Sequence, residues 1–311
     1  MPARNGSRNR AILTGIGDDC AVLRFAPGQD SLVTTDFCLE GIHFRRDWHS
    51  PQSVAQRCLS RGLSDIAAMG GTPVAVFLSM ALPRDLPQSW VARFSSTLVR
   101  LAEKHGSRLA GGDTAESPSE ILADIIVVGT VPKGKAILRS GAKPGDGIFV
   151  SGELGGSAAA VVRMQAPGKG NQIRPRDYAR HFFPEPRIEI GQYLREKRLA
   201  SAMIDTSDGL STDLAHICEE SCVGAEIDAS VIPRARVGRP AREVAVDLSL
   251  HGGEDYELLF TTPAAKRIPK RIAGVAITQI GHITRARGMF VRDSKGIRQK
   301  LRPQGWEHFR S

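Results

Sequence analysis

Aromatic residues are scarce in this sequence: 3 Trp, 3 Tyr and 11 Phe make up 5% of 311 residues. Proteins that grip single-stranded nucleic acid without sequence preference stack bases on aromatic platforms, and none is visible. Cysteine is sparse too, with Cys20, Cys38, Cys58, Cys218 and Cys222 scattered along the chain. An odd, scattered set suits reduced thiols and not a disulfide framework. Cys218 and Cys222 have no second pair to complete a zinc site. No apolar run is long enough to span a bilayer; residues 121–131 are too short and include Asp124. The start of the chain is basic but lacks the apolar stretch of a signal peptide. A cytoplasmic location and no membrane partner are expected.

Several signature motifs are missing. There is no Gly-x-x-x-x-Gly-Lys-Ser/Thr phosphate loop and no His-Glu-x-x-His. No Gly-x-Ser-x-Gly elbow is present, and Asp36-Phe37-Cys38 stands without the remaining protein-kinase elements. A triad hydrolase, a zinc peptidase and a P-loop enzyme are therefore unsupported.

At ~100–200 residues per domain, a chain of this length suggests about two domains. Apolar residues at 41% and charged residues at 24% are ordinary for a globular protein. The net charge of +9 comes from 42 Lys and Arg against 33 Asp and Glu. It suits either nucleic acid or anionic ligands. The basic residues are spread out, densest at Arg4, Arg8 and Arg10, and read mainly as solvated surface.

Strand and helix patterns alternate. Residues 31–35 read as a strand running into Asp36, and 53–69 as a helix with Val54, Cys58, Leu59, Leu63 and Ile66 on one side. Residues 74–80 and 122–130 read as strands, and 87–105 as an amphipathic helix stopped by Gly106. A short strand over 108–110 is expected to end in Gly111-Gly112-Asp113. The stretch 131–147, rich in glycine and proline, reads as a connector. Beyond it, strands are expected over 147–150, 202–204, 256–261 and 275–283, a basic loop over 166–175, and a hairpin over 289–301. Helices are expected from Ser157 and through Leu210, Leu214, Ile217 and Cys218. This mixture indicates an α/β (α+β) protein with two domains, residues 1–135 and 136–311.

Acidic residues recur beside glycines and strands: Gly17-Asp18-Asp19, Thr34-Thr35-Asp36, Leu63-Ser64-Asp65, Gly112-Asp113-Thr114, Asp205-Thr206-Ser207-Asp208-Gly209 and Gly252-Gly253-Glu254-Asp255. Any one of these alone reads as a turn or cap residue. Asp65 differs, because it falls within the apolar stripe Leu63, Ile66, Met69 of a helix, where a lone carboxylate is unfavourable. Carboxylates gathered in one cleft repel each other and need cations. Hard oxygen donors with neighbouring hydroxyls suit magnesium, which shares its shell with substrate phosphates. The set points to magnesium-dependent phosphoryl transfer. Gly152 to Ser157 reads as a possible phosphate turn at a helix start. His43 and Arg139, taken alone, read as a structural histidine and a solvated loop arginine.

In this order the blocks resemble the thiamine-monophosphate kinase family, within the superfamily shared with aminoimidazole ribonucleotide synthetase and selenophosphate synthetase. The resemblance covers nearly the whole chain. Its most specific pieces are Glu40-Gly41-Ile42-His43-Phe44, Leu63 to Gly70, Gly111 to Thr114, Arg139 to Asp146, Ile204 to Leu210, and Gly252-Gly253-Glu254-Asp255-Tyr256-Glu257-Leu258. It implies a two-domain PurM-like fold: an N-terminal sheet-and-helix domain that binds metal and forms a homodimer, and a C-terminal α/β domain that binds nucleotide and substrate. It implies transfer of phosphate from ATP to thiamine monophosphate with several Mg2+ ions. By motif match, Asp19, Thr34, Thr35, Asp36, Asp65, Asp113, Asp205 and Asp208 are expected on magnesium. Gly112, Asp113, Arg139 and Ser207 are expected on ATP. His43, Glu254 and Trp306 are expected on thiamine monophosphate, which reverses the bland readings of His43 and Arg139. No side chain is assigned as a general base, because a phosphate monoester is already largely ionised near neutral pH; electrostatic positioning is expected to carry catalysis. Two alternatives stay open: another ATP-dependent synthetase of the superfamily, and a non-catalytic nucleotide- or nucleic-acid-binding relative. Retention of the candidate metal carboxylates favours the kinase, and no nucleic-acid partner is expected.

Overall fold

The computed structural model describes residues 11–17, 20–166 and 173–306. Its first half contains β1 (Ile12–Thr14), β2 (Val22–Leu23), β3 (Gln29–Leu39), α1 (Pro51–Ala68), β4 (Thr72–Pro83), α2 (Gln88–Lys104), β5 (Arg108–Ser117) and β6 (Leu122–Pro132). The second half opens with β7 (Gly147–Ser151), α3 (Gly156–Gln165), α4 (Ala179–Phe182), α5 (Ile188–Glu196), β8 (Ala202–Asp205), α6 (Leu210–Glu220) and β9 (Gly224–Asp228). It continues with β10 (Arg236–Val237), β11 (Arg242–Glu243), α7 (Val246–His251), β12 (Leu258–Thr262), β13 (Arg271–Ile272), β14 (Val275–Thr284), β15 (Gly288–Arg292) and β16 (Arg298–Lys300).

Two sheets carry the architecture. The first runs β3-β6-β4-β5, with β4 and β5 parallel. The second runs β16-β15-β9-β14-β7-β12-β8, with β13 joined to β14. Strand β3 shows the alternation that one covered face demands. Leu32 and Cys38 are buried and Thr34 and Asp36 half-buried, whereas Val33, Thr35 and Phe37 face outward.

Helix α1 lies between the two halves. It starts where the Ser50 hydroxyl accepts from the Ser53 amide at 3.2 Å and Pro51 occupies the first turn. Fourteen of its 18 residues are buried, which a helix on one sheet would not show. The second half covers the face that the first sheet leaves open. Ser53 donates to the Phe182 carbonyl, and Gln56 and Ser60 donate to the Pro184 carbonyl, each at 2.8 Å. These bonds let polar side chains lie buried on the helix. One hydrophobic core accordingly runs from Leu32, Phe94 and Ile125 across α1 to Leu194, Met203 and Phe260. A second core fills the other face of the second sheet, around Val150, Leu214, Ile227 and Leu259. Among the described residues no helix is long and apolar enough to cross a membrane.

The expected helix over 53–69 and the hairpin over 289–301 correspond to α1 and to the antiparallel pair β15–β16. The strand expected over 108–110 extends to Ser117 instead. Gly111-Gly112-Asp113 is therefore not a turn: β4 supplies a parallel ladder along it, with a register shift between Val76 and Phe77. A backbone partner overrides the local glycine signal. Of the basic loop expected over 166–175, residues 167–172 lie outside the described residues.

The two halves pack backbone against backbone where a Cβ added at Gly191 of α5 would lie 2.0 Å from the Ala67 carbonyl oxygen of α1. Backbone cannot yield as a side-chain tip can. Gly191→Ala is expected to lower stability by about 1–3 kcal/mol, read from the shift in urea midpoint. An unchanged midpoint would refute this close packing.

Candidate active site

Between α1 and the connector after β6 opens a cleft of about 450 Å³ whose lining includes Thr34, Asp65, Arg139, Ser140 and Asp205. Asp65 reaches it from the last turn of α1 and Asp205 from the end of β8, and Asp36, on the inward face of β3, stands beside Asp65, close enough for their charges to interact. The Thr34 hydroxyl donates to Asp65. The Ser64 hydroxyl donates to Asp205 at 2.7 Å, which ties α1 to β8.

Burial, and next the charge of Asp65, push the Asp36 carboxyl up to about 7. Burial and Asp65 push Asp205 up to about 7 as well, against the Ser64 hydrogen bond and the nearby charge of Arg139. Carboxylates crowded in this way are stabilised by a cation. Among the described residues no three of His, Cys, Asp and Glu converge tightly enough to hold an ion by themselves. Magnesium usually keeps several waters and takes substrate phosphate oxygens alongside one or two carboxylates. Neighbouring carboxylates beside a threonine hydroxyl thus fit its donor chemistry without forming a closed protein cage.

Next to Asp36 lies a second charged group. Arg57 and Arg61 of α1 both reach Glu254: Arg57 Nη2 donates to Oε2 at 2.6 Å, and Arg61 Nη1 to Oε1 at 3.3 Å. The two arginines hold the Glu254 carboxyl below its usual range against the burial that would raise it. Arg57 Nη2 also donates to the His43 carbonyl at 2.8 Å, and His43 Nδ1 accepts from the Leu39 amide at 3.0 Å. Glu254 and Tyr256 adopt left-handed φ values of 64° and 50°, uncommon for residues with side chains and a recurring feature of functional loops. Hydrogen bonds to the 205–209 loop hold them there. The Glu254 amide donates to the Ser207 carbonyl at 2.8 Å, and that of Tyr256 to the Thr206 carbonyl at 3.0 Å. Ser207 is thus placed between the Asp205 carboxylate and the Glu254 loop.

The remaining expected residues are distributed differently. Asp113 and Gly112 lie on β5, separated from β3 by β6 and β4. At about 4.8 Å per strand step, that places Asp113 on the order of 14 Å from β3. They line another cavity, about 720 Å³, with Gly15, Ile16 and Gly17. Gly112 has φ 151°, and a Cβ there would lie 1.9 Å from the Leu78 carbonyl oxygen, so only glycine fits. Thr35 points away from Thr34 and Asp36 and donates to Asp124 at 2.7 Å on the outer face of the sheet. The Asp208 carbonyl accepts from the Trp306 amide at 3.0 Å, and the Trp306 side chain is exposed. Asp19 lies outside the described residues. The Gly152–Ser157 turn is not open to phosphate. The buried Asp255 carboxylate already accepts from the amides of Gly155, at 2.5 Å, and Ser157, at 3.2 Å, at the start of α3. An internal anion satisfies the helix terminus.

Comparison with known proteins gives this geometry a context. Residues 17–131 match the family described as AIR synthase related protein, N-terminal domain, and 143–294 match its C-terminal domain. The thiamine-monophosphate kinase of Escherichia coli K12 is 40% identical over 305 residues, 95% of this chain and 91% of that protein. The chain belongs to the thiamine-monophosphate kinase family. A crystal structure of thiamine-monophosphate kinase from Stenotrophomonas maltophilia K279a is similar with TM-score 0.79 and 34% identity, covering 91% of this chain and 92% of that one. A structure described as AaThiL complexed with AMPPCP and TMP matches with TM-score 0.79 and 33% identity, over 94% and 92%. The two-domain PurM-like architecture expected from the motifs is the one this family shares.

Within that family frame, sequence reasoning passed over Arg57 and Arg61. The signal was present: Arg57, Arg61 and Asp65 recur every four residues inside an apolar helix, the spacing of one helical face. Asp213 was also missed. Its Oδ2 accepts from the Gly209 amide at 3.0 Å, and its Oδ1 is buried without a partner.

The strain at Asp205 predicts a pH dependence. Its carboxyl keeps a proton up to about pH 7 when folded, against 3.8 ordinarily. Folding therefore takes up a proton between these values, and the contribution of Asp205 to stability falls as pH rises through that window. In magnesium-free buffer, Asp205→Asn should gain stability relative to the parent from about pH 4 to about pH 7 and then level off. Denaturant titrations at several pH values read the difference, and a difference that stays flat across the window would contradict it.

Proposed function

We propose that this chain is an ATP-dependent kinase that transfers the γ-phosphoryl group of ATP to the phosphate of thiamine monophosphate, giving ADP and thiamine diphosphate. The observation that carries this reading is the crowding of Asp36, Asp65 and Asp205 at the cleft, with Arg61 linking Asp36 to an arginine-held glutamate. Asp36, Asp65 and Asp205 suit a phosphate–magnesium cluster, while Glu254, gathered beside them by Arg57 and Arg61, suits the positively charged ring of the acceptor. Family membership and a relative solved with an ATP analogue and TMP support the same substrates.

On this reading Asp36, Asp65, Asp205 and Thr34 hold Mg2+, together with Asp208 and Asp19. Bound Mg2+ neutralises phosphate charge, so that two anions can approach in line. Arg139 and Ser207 face the nucleotide, and His43, Glu254 and Trp306 face the acceptor. The chain orients and shields; no general base is assigned, because the attacking phosphate oxygen is already ionised. We place the domain division in the connector, with residues 1–135 supplying most metal ligands and 136–311 the nucleotide and acceptor contacts.

Asp113, Gly112 and Thr35 enter this scheme through a homodimer. Val33 and Phe37 are 69% and 56% exposed on the outer face of β3, where apolar side chains favour a covering partner. A second copy against that sheet would bring the Gly112-Asp113 edge of another chain within reach of a cleft that its own chain keeps at a distance. Light scattering should then report twice the 33.6 kDa chain mass, and a monomer across the working concentration range would remove this part of the scheme.

Incubation with ATP, Mg2+ and thiamine monophosphate should yield thiamine diphosphate, followed by chromatography. Asp65→Asn should cut turnover by roughly 10²-fold or more without lowering the melting temperature. Absence of product from the parent protein would overturn the kinase reading, and an active Asp65→Asn enzyme would overturn the ligand assignment.

A further inference from the structure

The two arginines that hold Glu254 are unequally engaged. Arg57 has a side chain only 2% exposed. It divides its terminal nitrogens among the His181 carbonyl at 2.6 Å, His181 Nδ1 at 3.1 Å, the His43 carbonyl and Glu254. Arg61, one helical turn later, is 17% exposed. Its Nη1 donates to Glu254 at 3.3 Å and to the Tyr256 hydroxyl at 3.1 Å. Among the described residues its Nη2 has only Asp36 Oδ1 at 3.7 Å, beyond hydrogen-bond length. Nη1 is anchored on Glu254 and Tyr256, while Nη2 is turned to Asp36 with its hydrogen-bonding capacity unspent among the described residues.

The acceptor in the kinase reading is a phosphate monoester, which carries about −1.5 to −2 charges near neutral pH. Its organic end is assigned to Glu254, and its phosphate must come to rest near Asp36 and Asp65, among carboxylates that repel it. Arg139 lines the cleft beside Ser140 and Asp205, on the side assigned to nucleotide. Arg61 stands at the junction of the acceptor end and the metal end.

We propose that Arg61 is a specificity-determining residue that binds the phosphate of the acceptor through Nη2, so that the cleft selects a phosphorylated ligand over the same ligand without phosphate. The proposal rests on the kinase reading for the identity of the acceptor. A guanidinium suits the task because it stays charged and donates in a fixed fork that matches phosphate oxygens. Arg57 alone keeps Glu254 in place when Arg61 is changed, so recognition of the organic end and of the phosphate are separable.

The test compares thiamine monophosphate with unphosphorylated thiamine by calorimetric titration of the parent protein, Arg61→Met and Arg61→Lys, with Mg2+ and a non-hydrolysable ATP analogue present. Arg61→Met should weaken thiamine monophosphate binding by roughly 10- to 100-fold and change thiamine binding by less than about threefold, the ratio expected if Arg61 touches only phosphate. Arg61→Lys should recover part of the loss. In steady-state assays the KM for thiamine monophosphate should rise while that for ATP holds. Equal losses for both ligands would reduce Arg61 to a support for Glu254, and no loss for either would remove it from the site. Selective loss of thiamine monophosphate binding in a parent protein that forms no product would uphold the phosphate contact and overturn the kinase. Turnover by the parent with undiminished phosphate selectivity in Arg61→Met would do the reverse. Melting curves of both variants establish that the comparison is between folded proteins.

Discussion

The cleft depends on one electrostatic constraint: several carboxylates are held close together where water cannot fully screen them. Asp36, Asp65 and Asp205 arrive from β3, α1 and β8, and two of them are pushed up to about 7 by burial and by Asp65. An arrangement of this kind stays ionised only when positive charge is supplied. The chain supplies part of it through Arg61 and Arg139 and leaves the rest to ligands. The same constraint explains why Thr34 and Ser64 present hydroxyls to Asp65 and Asp205. A hydroxyl donor favours the charged form at little steric cost.

Helix α1 makes this arrangement possible because it belongs to both halves of the molecule. Its apolar residues fill the core under the first sheet, and its polar residues reach the carbonyls of Phe182 and Pro184 in the second half. Charged groups at every fourth residue thus come to lie along the seam between the halves. On the second half's side of that seam, the loops at 205–209 and 254–257 brace each other through backbone hydrogen bonds. Bracing of this kind is what allows Glu254 and Tyr256 to keep left-handed backbone angles, each costing on the order of 1–3 kcal/mol when unsupported. A second buried pairing stiffens the same loop. Glu257 is fully buried and bonded to Ser151, Arg180 and Arg187, so the strand that follows Glu254 and Tyr256 is anchored by charge as well as by its ladder.

Much of the fold was legible in the sequence because its elements obey local rules. The apolar side of α1, the apolar run of β4 and the 293–296 turn between β15 and β16 each carry their own signal. Strand β5 was legible only to Ala110, because its glycines read as a turn and the ladder that extends it comes from β4. The Gly152–Ser157 turn misled in the opposite direction: its glycines and helix start resemble a phosphate site, but Asp255, 98 residues from Ser157 in sequence, fills it.

By itself the sequence determined the chemistry on offer: acidic residues beside strands and glycines, no P-loop, and a motif order that places the chain in its family. Residue type and local spacing are enough for that, because they set which donors and acceptors exist. Only the tertiary structure decided which of them meet. It set Asp36, Asp65 and Asp205 together, turned Thr35 to the far face of β3, and kept Asp113 three strands away. It also joined Arg57 to Glu254 across 197 residues. Periodicity reports the environment of a single element, whereas such pairings follow from how sheets and helices pack as whole bodies. The series of acidic residues is one feature in sequence, and packing divides it into a carboxylate cleft, an outer-face contact and a separate edge.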